Sequence, residues 1–122
     1  MPIMEISVVP LGTSTSSVSE YVASCIEVLK KEKGIRFELT AMGTIVEAES
    51  VRTLFRIAEK MHKEVFHKGI KRVVTSIKID DRTDKPLHMK SKVESVIKKQ
   101  RLALRLGSTS LTTGRSGQTA SD

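Results

Sequence analysis

The chain opens on an alternation: from Ile3 to Val9, Met4, Ile6 and Val8 fall on one parity and Glu5 and Ser7 on the other. That is the two-residue period of a strand with one face buried. Pro10 and Gly12 break it, and Ser17-Val-Ser-Glu20 has the S-x-x-E spacing of a capping box. A helix is predicted from there, with Val18, Val22, Cys25, Ile26 and Leu29 at helical spacing. Lys30, Lys31 and Lys33 lie at its dipole's negative end, before Gly34 stops it. "IRFELTAMG" then alternates Ile35, Phe37, Leu39 and Ala41 against Arg36, Glu38 and Thr40, and "TIVEAE" follows the break at Met42-Gly43, so a hairpin is expected. Ser50 is placed to cap a second helix whose apolar stripe is Leu54, Ile57, Ala58, Met61 and Val65, with Gly69 as the stop. "RVVTSIKIDDR", from Arg72 to Arg82, supplies the fourth strand.

The order β-α-β-β-α-β predicts an α+β chain, a ferredoxin-like βαββαβ sandwich whose two helices cover one face of a four-stranded antiparallel sheet. "KGIR" at 33–36 and "KGIK" at 68–71 each close a helix and launch a strand, a local likeness between the halves. An extra C-terminal helix is expected over roughly Met89 to Leu104, with Met89, Val93, Val96 and Ile97 as its apolar edge. One domain spans 1–104. The Gly/Ser/Thr-rich residues 105–122 read as a disordered tail.

At 122 residues and 39% hydrophobic, the chain supports one modest core. The net charge of +7 points first to nucleic acid, but its distribution changes that picture. Residues 1–84 hold 13 Lys and Arg against 12 Asp and Glu, whereas 85–105 hold 7 against 1. The excess belongs to the last helix, where a solvated lysine-rich face is the commoner meaning. No run approaches the roughly 18 apolar residues of a membrane span, and the start lacks a basic leader region, so a cytoplasmic protein is expected. The single Cys25 excludes an internal disulfide, and its apolar neighbours predict a buried thiol.

Catalytic signatures are absent: there is no GxSxG, GxxxxGK[ST], GxGxxG or HExxH. His62 and His67, five apart, point about 140° from each other around a helix and cannot share a metal ion; His88 stands in a polar loop. Neighbouring strand residues face opposite ways, so Asp80 and Asp81 diverge and read as the exit of a strand. RNA recognition on the sheet would need exposed aromatics, yet only Phe37 lies on a predicted strand, on the helix-facing parity.

The polar parity is more informative. Glu5, Ser7, Glu47, Arg72 and Ser76 reach the open sheet face, with Thr44 and Thr75 beside it. Val74 shares the parity of Arg72, and Ile45 that of Glu47. A face mixing apolar and polar groups suits an interface or a ligand site.

"EISVVPLGT" at 5–13, "SVSEYVA" at 17–23, "MGTIVEAE" at 42–49 and "RVVTSIKIDDRTDK" at 72–85, followed by "KVESV" at 92–96, together resemble the YkoF-like family of small thiamine-binding proteins. The resemblance covers about residues 3–100. It implies a ferredoxin-like fold, dimers associating into a tetramer through sheets and C-terminal helices, and non-catalytic binding of thiamine or its hydroxymethylpyrimidine part, with no cofactor required. Relatives commonly follow the strand-three Glu with Gly and then Trp, whereas Glu47 here precedes Ala48-Glu49-Ser50 and the chain has no Trp.

Parity and resemblance together nominate Ser7, Thr44, Glu47, Arg72, Thr75 and Ser76 as ligand-binding residues. Glu47 would be counter-charge or pyrimidine partner, Ser7, Thr44 and Thr75 hydroxyl contacts, and Arg72 a group that orients Glu47 or meets the ligand's hydroxyl end. The alternative from another class is a basic RNA-interacting module using the last helix.

Overall fold

The computed structural model describes residues 1–14 and 17–105; of the predicted 105–122 tail, Arg105 ends a helix and the part from residue 106 onward lies outside the described residues. The chain divides into a unit of Met1–His88 and a second that begins at Met89. In the first, β1 (Ile3–Leu11), α1 (Ser19–Lys30), β2 (Arg36–Leu39), β3 (Thr44–Glu47), α2 (Val51–His67) and β4 (Arg72–Asp80) follow the predicted order. The sheet runs β2-β3-β1-β4 with every neighbour antiparallel, the ferredoxin-like arrangement. The second unit's described part is α3 (Met89–Arg105), whose Val93, Val96, Ile97, Leu102 and Leu104 are exposed.

The core forms where the alternations meet the stripes. Met4 and Ile6 of β1, Val46 of β3 and Ala48 contribute from the sheet; Tyr21, Cys25 and Leu29 from α1; Leu54, Ile57, Ala58, Met61 and Val65 from α2. Fully burying a side chain the size of Leu or Ile contributes about 1.5–3 kcal/mol, so these positions dominate the stability of the sandwich. Phe37 packs against the same core, as its parity requires. The Cys25 thiol is buried and donates to the Met61 carbonyl at 3.5 Å; burial first, and the nearby Glu64 carboxylate second, push its pKa up to about 11. It therefore stays protonated and inert at neutral pH.

Caps follow the prediction at α2 and not at α1. Ser50 Oγ accepts from the Thr53 N–H at 3.1 Å, and Gly69, at φ 86°, donates its N–H to the Phe66 carbonyl to close the helix. At α1 the predicted capping box does not form: the helix starts at Ser19, and Val18 occupies the cap with no side-chain hydrogen bond. Ser17 Oγ instead stands 3.4 Å from Ser19 Oγ. The box would need Ser17 at the cap itself, and the helix begins one residue too late for that. The two helices are tied by Glu32, which receives Arg56 at 2.9 Å and Lys60 at 2.7 Å.

The β2–β3 turn is built by Thr40. Its N–H and its Oγ1 both donate to the Gly43 carbonyl at 2.8 Å, and its Oγ1 accepts from the N–H groups of Met42 and Gly43. Gly43 is required here by close approach, because a Cβ at this position would sit 3.1 Å from the Ile6 carbonyl oxygen of β1.

Candidate functional site

Strand parity decides where each nominated residue points. On β3, Thr44 shares the parity of core Val46 and lies towards the helices, whereas Glu47 shares that of Ile45 and lies on the open face. On β1, Ile3, Glu5, Ser7, Val9 and Leu11 take the open face; on β4, Arg72, Val74, Ser76, Lys78 and Asp80 do so. Thr75 faces inward and hydrogen-bonds His62 Nδ1 through its Oγ1 at 2.6 Å. The His62 ring also meets Phe66 edge-on, at 5.2 Å between centroids. Thr75 is therefore engaged by α2, not placed beside the open face.

Register separates the rest. Glu47 pairs with Ile3 at one end of β1, and Arg72 pairs with Leu11 at the other. Eight residues at roughly 3.3 Å each put about 26 Å between those rows. Within one chain, then, Arg72 does not orient Glu47, and the six nominated residues do not converge on one small ligand. Ser76 lies directly across from Ser7 on the open face.

Glu47 is only 2% exposed although its sheet face is the open one. The segment after β4 reaches it: His88 Nδ1 stands 3.4 Å from Glu47 Oε2, and Leu87, next to His88 in the chain, is buried. Earlier in that segment, Arg82 grips Asp84 through Nε at 2.7 Å and through a second nitrogen at 2.6 Å. That grip holds the Asp84 pKa down to about 2.

The cavity that forms lies elsewhere, between the end of β1, the β2–β3 turn and the helices. It measures about 220 Å³ and is walled by Ile6–Val9, Val18, Val22, Cys25, Met61 and Leu39–Thr44. Of the nominated residues, Thr44 faces this cavity, and Ser7 lies in the β1 stretch that walls it but carries its side chain on the open face. Thr44 is 4% exposed, and its hydroxyl makes no hydrogen bond to a described residue. A buried hydroxyl left without a protein partner is costly. The sequence reading places a turn at Met42-Gly43 but nominates none of Thr40 to Gly43 for the site, although the turn, with Met42 exposed at its tip, forms part of the wall. A four-residue turn carries no periodicity by which to find it.

Residues 4–97 match the family model described as thiamine-binding protein. The chain belongs to this family. Among its relatives, a UPF0045 protein of Methanothermobacter thermautotrophicus is 44% identical over 95 residues, covering 78% of this chain and 95% of the relative. The Bacillus subtilis UPF0045 protein YqgV is 43% identical over 101 residues, covering 80% and 96%. A hypothetical protein of Methanocaldococcus jannaschii has a crystal structure that superposes with a TM-score of 0.71 at 36% identity, covering 78% of this chain and 94% of that one. A Thermotoga maritima protein described as a candidate for thiamine biosynthesis or salvage shares the fold, with a TM-score of 0.64 at 21% identity and coverage of 78% and 97%. In this thiamine-binding family member, a small-molecule binding role accordingly has support from both the family and the cavity. The resemblance carried by the four motifs coincides with the residues the family model matches.

Proposed function

We propose that this chain is a non-catalytic binding protein for the hydroxymethylpyrimidine part of thiamine, held in the cavity between β1, the β2–β3 turn and the helices. The observation that carries the reading is the Thr44 hydroxyl, buried in a mostly apolar wall with no partner among the described residues. An aminopyrimidine ring offers donor and acceptor edges to such a hydroxyl and flat faces to Val8, Val18 and Val22. At about 220 Å³ the cavity is smaller than the roughly 300–1,000 Å³ usual for drug-sized ligands, which suits one ring better than the whole of thiamine. Ser7, whose side chain takes the open face, contributes only its stretch of β1 to the wall. Glu47 acts from the other face of the sheet, where it meets His88.

The same proposal includes a homo-oligomer, with a tetramer as its form. Val9 and Val74 pair across the strands on the open face and are both exposed, with Leu11 beyond them, and a second copy would cover that apolar strip. It has the protein act in the cytoplasm, where the lone thiol of Cys25 is stable unpaired. No helix among the described residues is long and apolar enough to cross a membrane.

Calorimetric titration with hydroxymethylpyrimidine and with thiamine, on protein whose mass has been measured by native mass spectrometry, tests the reading. Saturable binding of the pyrimidine by an oligomer is expected. A monomer that binds neither compound overturns it.

A further inference from the structure

One end of the sandwich carries charge that nothing in the fold uses. The connection from α2 to β4 reads His67-Lys68-Gly69-Ile70-Lys71-Arg72, three cations within five residues, and the next acid along the chain is Asp80. Lys71 and Arg72 are exposed, and neither they nor Lys68 make a side-chain ion pair or hydrogen bond with a described residue. Five other basic groups of this unit are paired: Arg56 and Lys60 hold Glu32, Lys30 meets Glu27, Lys63 meets Glu59 and Arg82 grips Asp84.

Lys71 and Arg72 line an open groove together with Leu11, Gly12, Gly69 and Ile70. The two glycines come from different loops, and both take the left-handed conformation, Gly12 at φ 79° and Gly69 at φ 86°. A Cβ added to either would meet nothing within 4 Å, so the groove between the loops is empty of side chains where it meets the two backbones. Among the described residues, no acidic one lines it. Helix α2 ends here with its negative pole, but the Val65 and Phe66 carbonyls already accept from the N–H groups of Lys68 and Gly69. Helix α1 begins, after the loop that follows Leu11, without a side-chain cap on its first-turn amides. The balance at this end favours an anion.

The groove also follows the cavity along β1. Residues Ile6 to Val9 wall the cavity, Leu11 and Gly12 wall the groove, and Pro10 alone lies between the two stretches. From Val9 to Leu11 is about 7 Å at the rise of a strand. A phosphate carried on a methylene arm, met by the long side chains of Lys71 and Arg72, spans that interval.

We infer that Lys71 and Arg72 form a phosphate-binding groove beside the cavity, so that the preferred ligand is a phosphate monoester of a small heteroaromatic alcohol and not the free alcohol. This rests on the proposed pyrimidine reading for the cavity, while the groove itself rests on its own geometry and charge.

The test is calorimetric titration of the full chain at two salt concentrations with three probes: hydroxymethylpyrimidine, the phosphate monoester of its hydroxymethyl group, and inorganic phosphate. The ester is expected to bind about tenfold or more tighter than the alcohol, since charge-assisted contacts to a phosphate add to those of the ring. That advantage should shrink as salt rises. In the double variant Lys71→Ala, Arg72→Ala the ratio of the two affinities should fall to near one, whereas Lys78→Ala, a basic change on the far part of β4, should leave the ratio in place. Equal affinities for ester and alcohol in the parent protein overturn the groove and leave the cavity reading standing. Binding of inorganic phosphate that the double variant abolishes, with no binding of the alcohol, keeps the groove and removes the cavity reading. If no probe binds, both fall.

Discussion

The Nδ1 of His88 lies 3.4 Å from Oε2 of Glu47, and this contact, made from the segment after β4, reaches an acid on the open face of the sheet. Glu47→Gln keeps the shape and removes the charge. The expected outcome is a loss of thermal stability of about 1–3 kcal/mol, because a charged acceptor is replaced at a buried position. Pyrimidine affinity should stay within twofold, since Glu47 does not wall the cavity. Parallel melting and titration measure both; a tenfold loss of affinity with an unchanged melting temperature would move the ligand to the open face.

Thr44→Val is the matching change inside the cavity. It removes a hydroxyl that no described residue uses and leaves a side chain of the same shape. Stability should hold or rise slightly, as a buried unpaired polar group disappears. Pyrimidine affinity should fall by about tenfold, the order expected for one lost hydrogen bond in an apolar site. Titration of the variant decides it.

Gly43→Ala places a methyl group 3.1 Å from the Ile6 carbonyl oxygen, a backbone atom that cannot step aside without disturbing β1. The expected cost is about 1–3 kcal/mol, the usual range for overpacking a fitted site. Because Gly43 and Ile6 both wall the cavity, ligand binding should weaken with stability. Urea unfolding followed by titration of the folded variant checks the pair of effects.

Glu32 gives the fold an acid-sensitive tie between its helices. Hydrogen bonds from Arg56 first and Lys60 second hold its carboxyl below the ordinary 4.5. A group whose pKa is depressed on folding stabilises fully above its unfolded value and loses that contribution as pH falls through the folded one. Glu32→Gln should therefore lower stability at pH 7 by about 1 kcal/mol. The gap from the parent should close on acidification below 4.5. Denaturation at a series of pH values reads this directly, and a gap that does not change with pH would assign the loss to packing.

Leu54, wholly buried on α2, provides a control for the core. Leu54→Ala should cost about 2–5 kcal/mol through lost burial and the cavity left behind. Denaturant unfolding at neutral pH measures it.

Much of this was legible in the sequence wherever a period was long enough to read. The stripe Leu54, Ile57, Ala58, Met61 and Val65 is buried residue for residue, and Met4, Ile6 and Phe37 turn inward as alternation requires. Asp80 is the last residue of β4, so the Asp-Asp pair is a strand exit. Local chemistry was less dependable: Ser50 caps its helix by side chain, while the equally plausible Ser17 does not. The difference lies one residue away in where each helix starts, which a motif match does not see.

The sequence by itself determined the element order, the inward face of each element and, through its motifs, the family, because alternation, helical stripes and turn residues are properties of short stretches of chain. Only the tertiary structure decided which polar residues meet. Register along β1 sets Glu47 and Arg72 at opposite ends, parity sends Thr44 and Thr75 inward while Glu47 faces out, and the segment after β4 brings His88 to that acid. These are relations between strands distant in sequence, fixed by how backbones pair and pack, and no local pattern carries them.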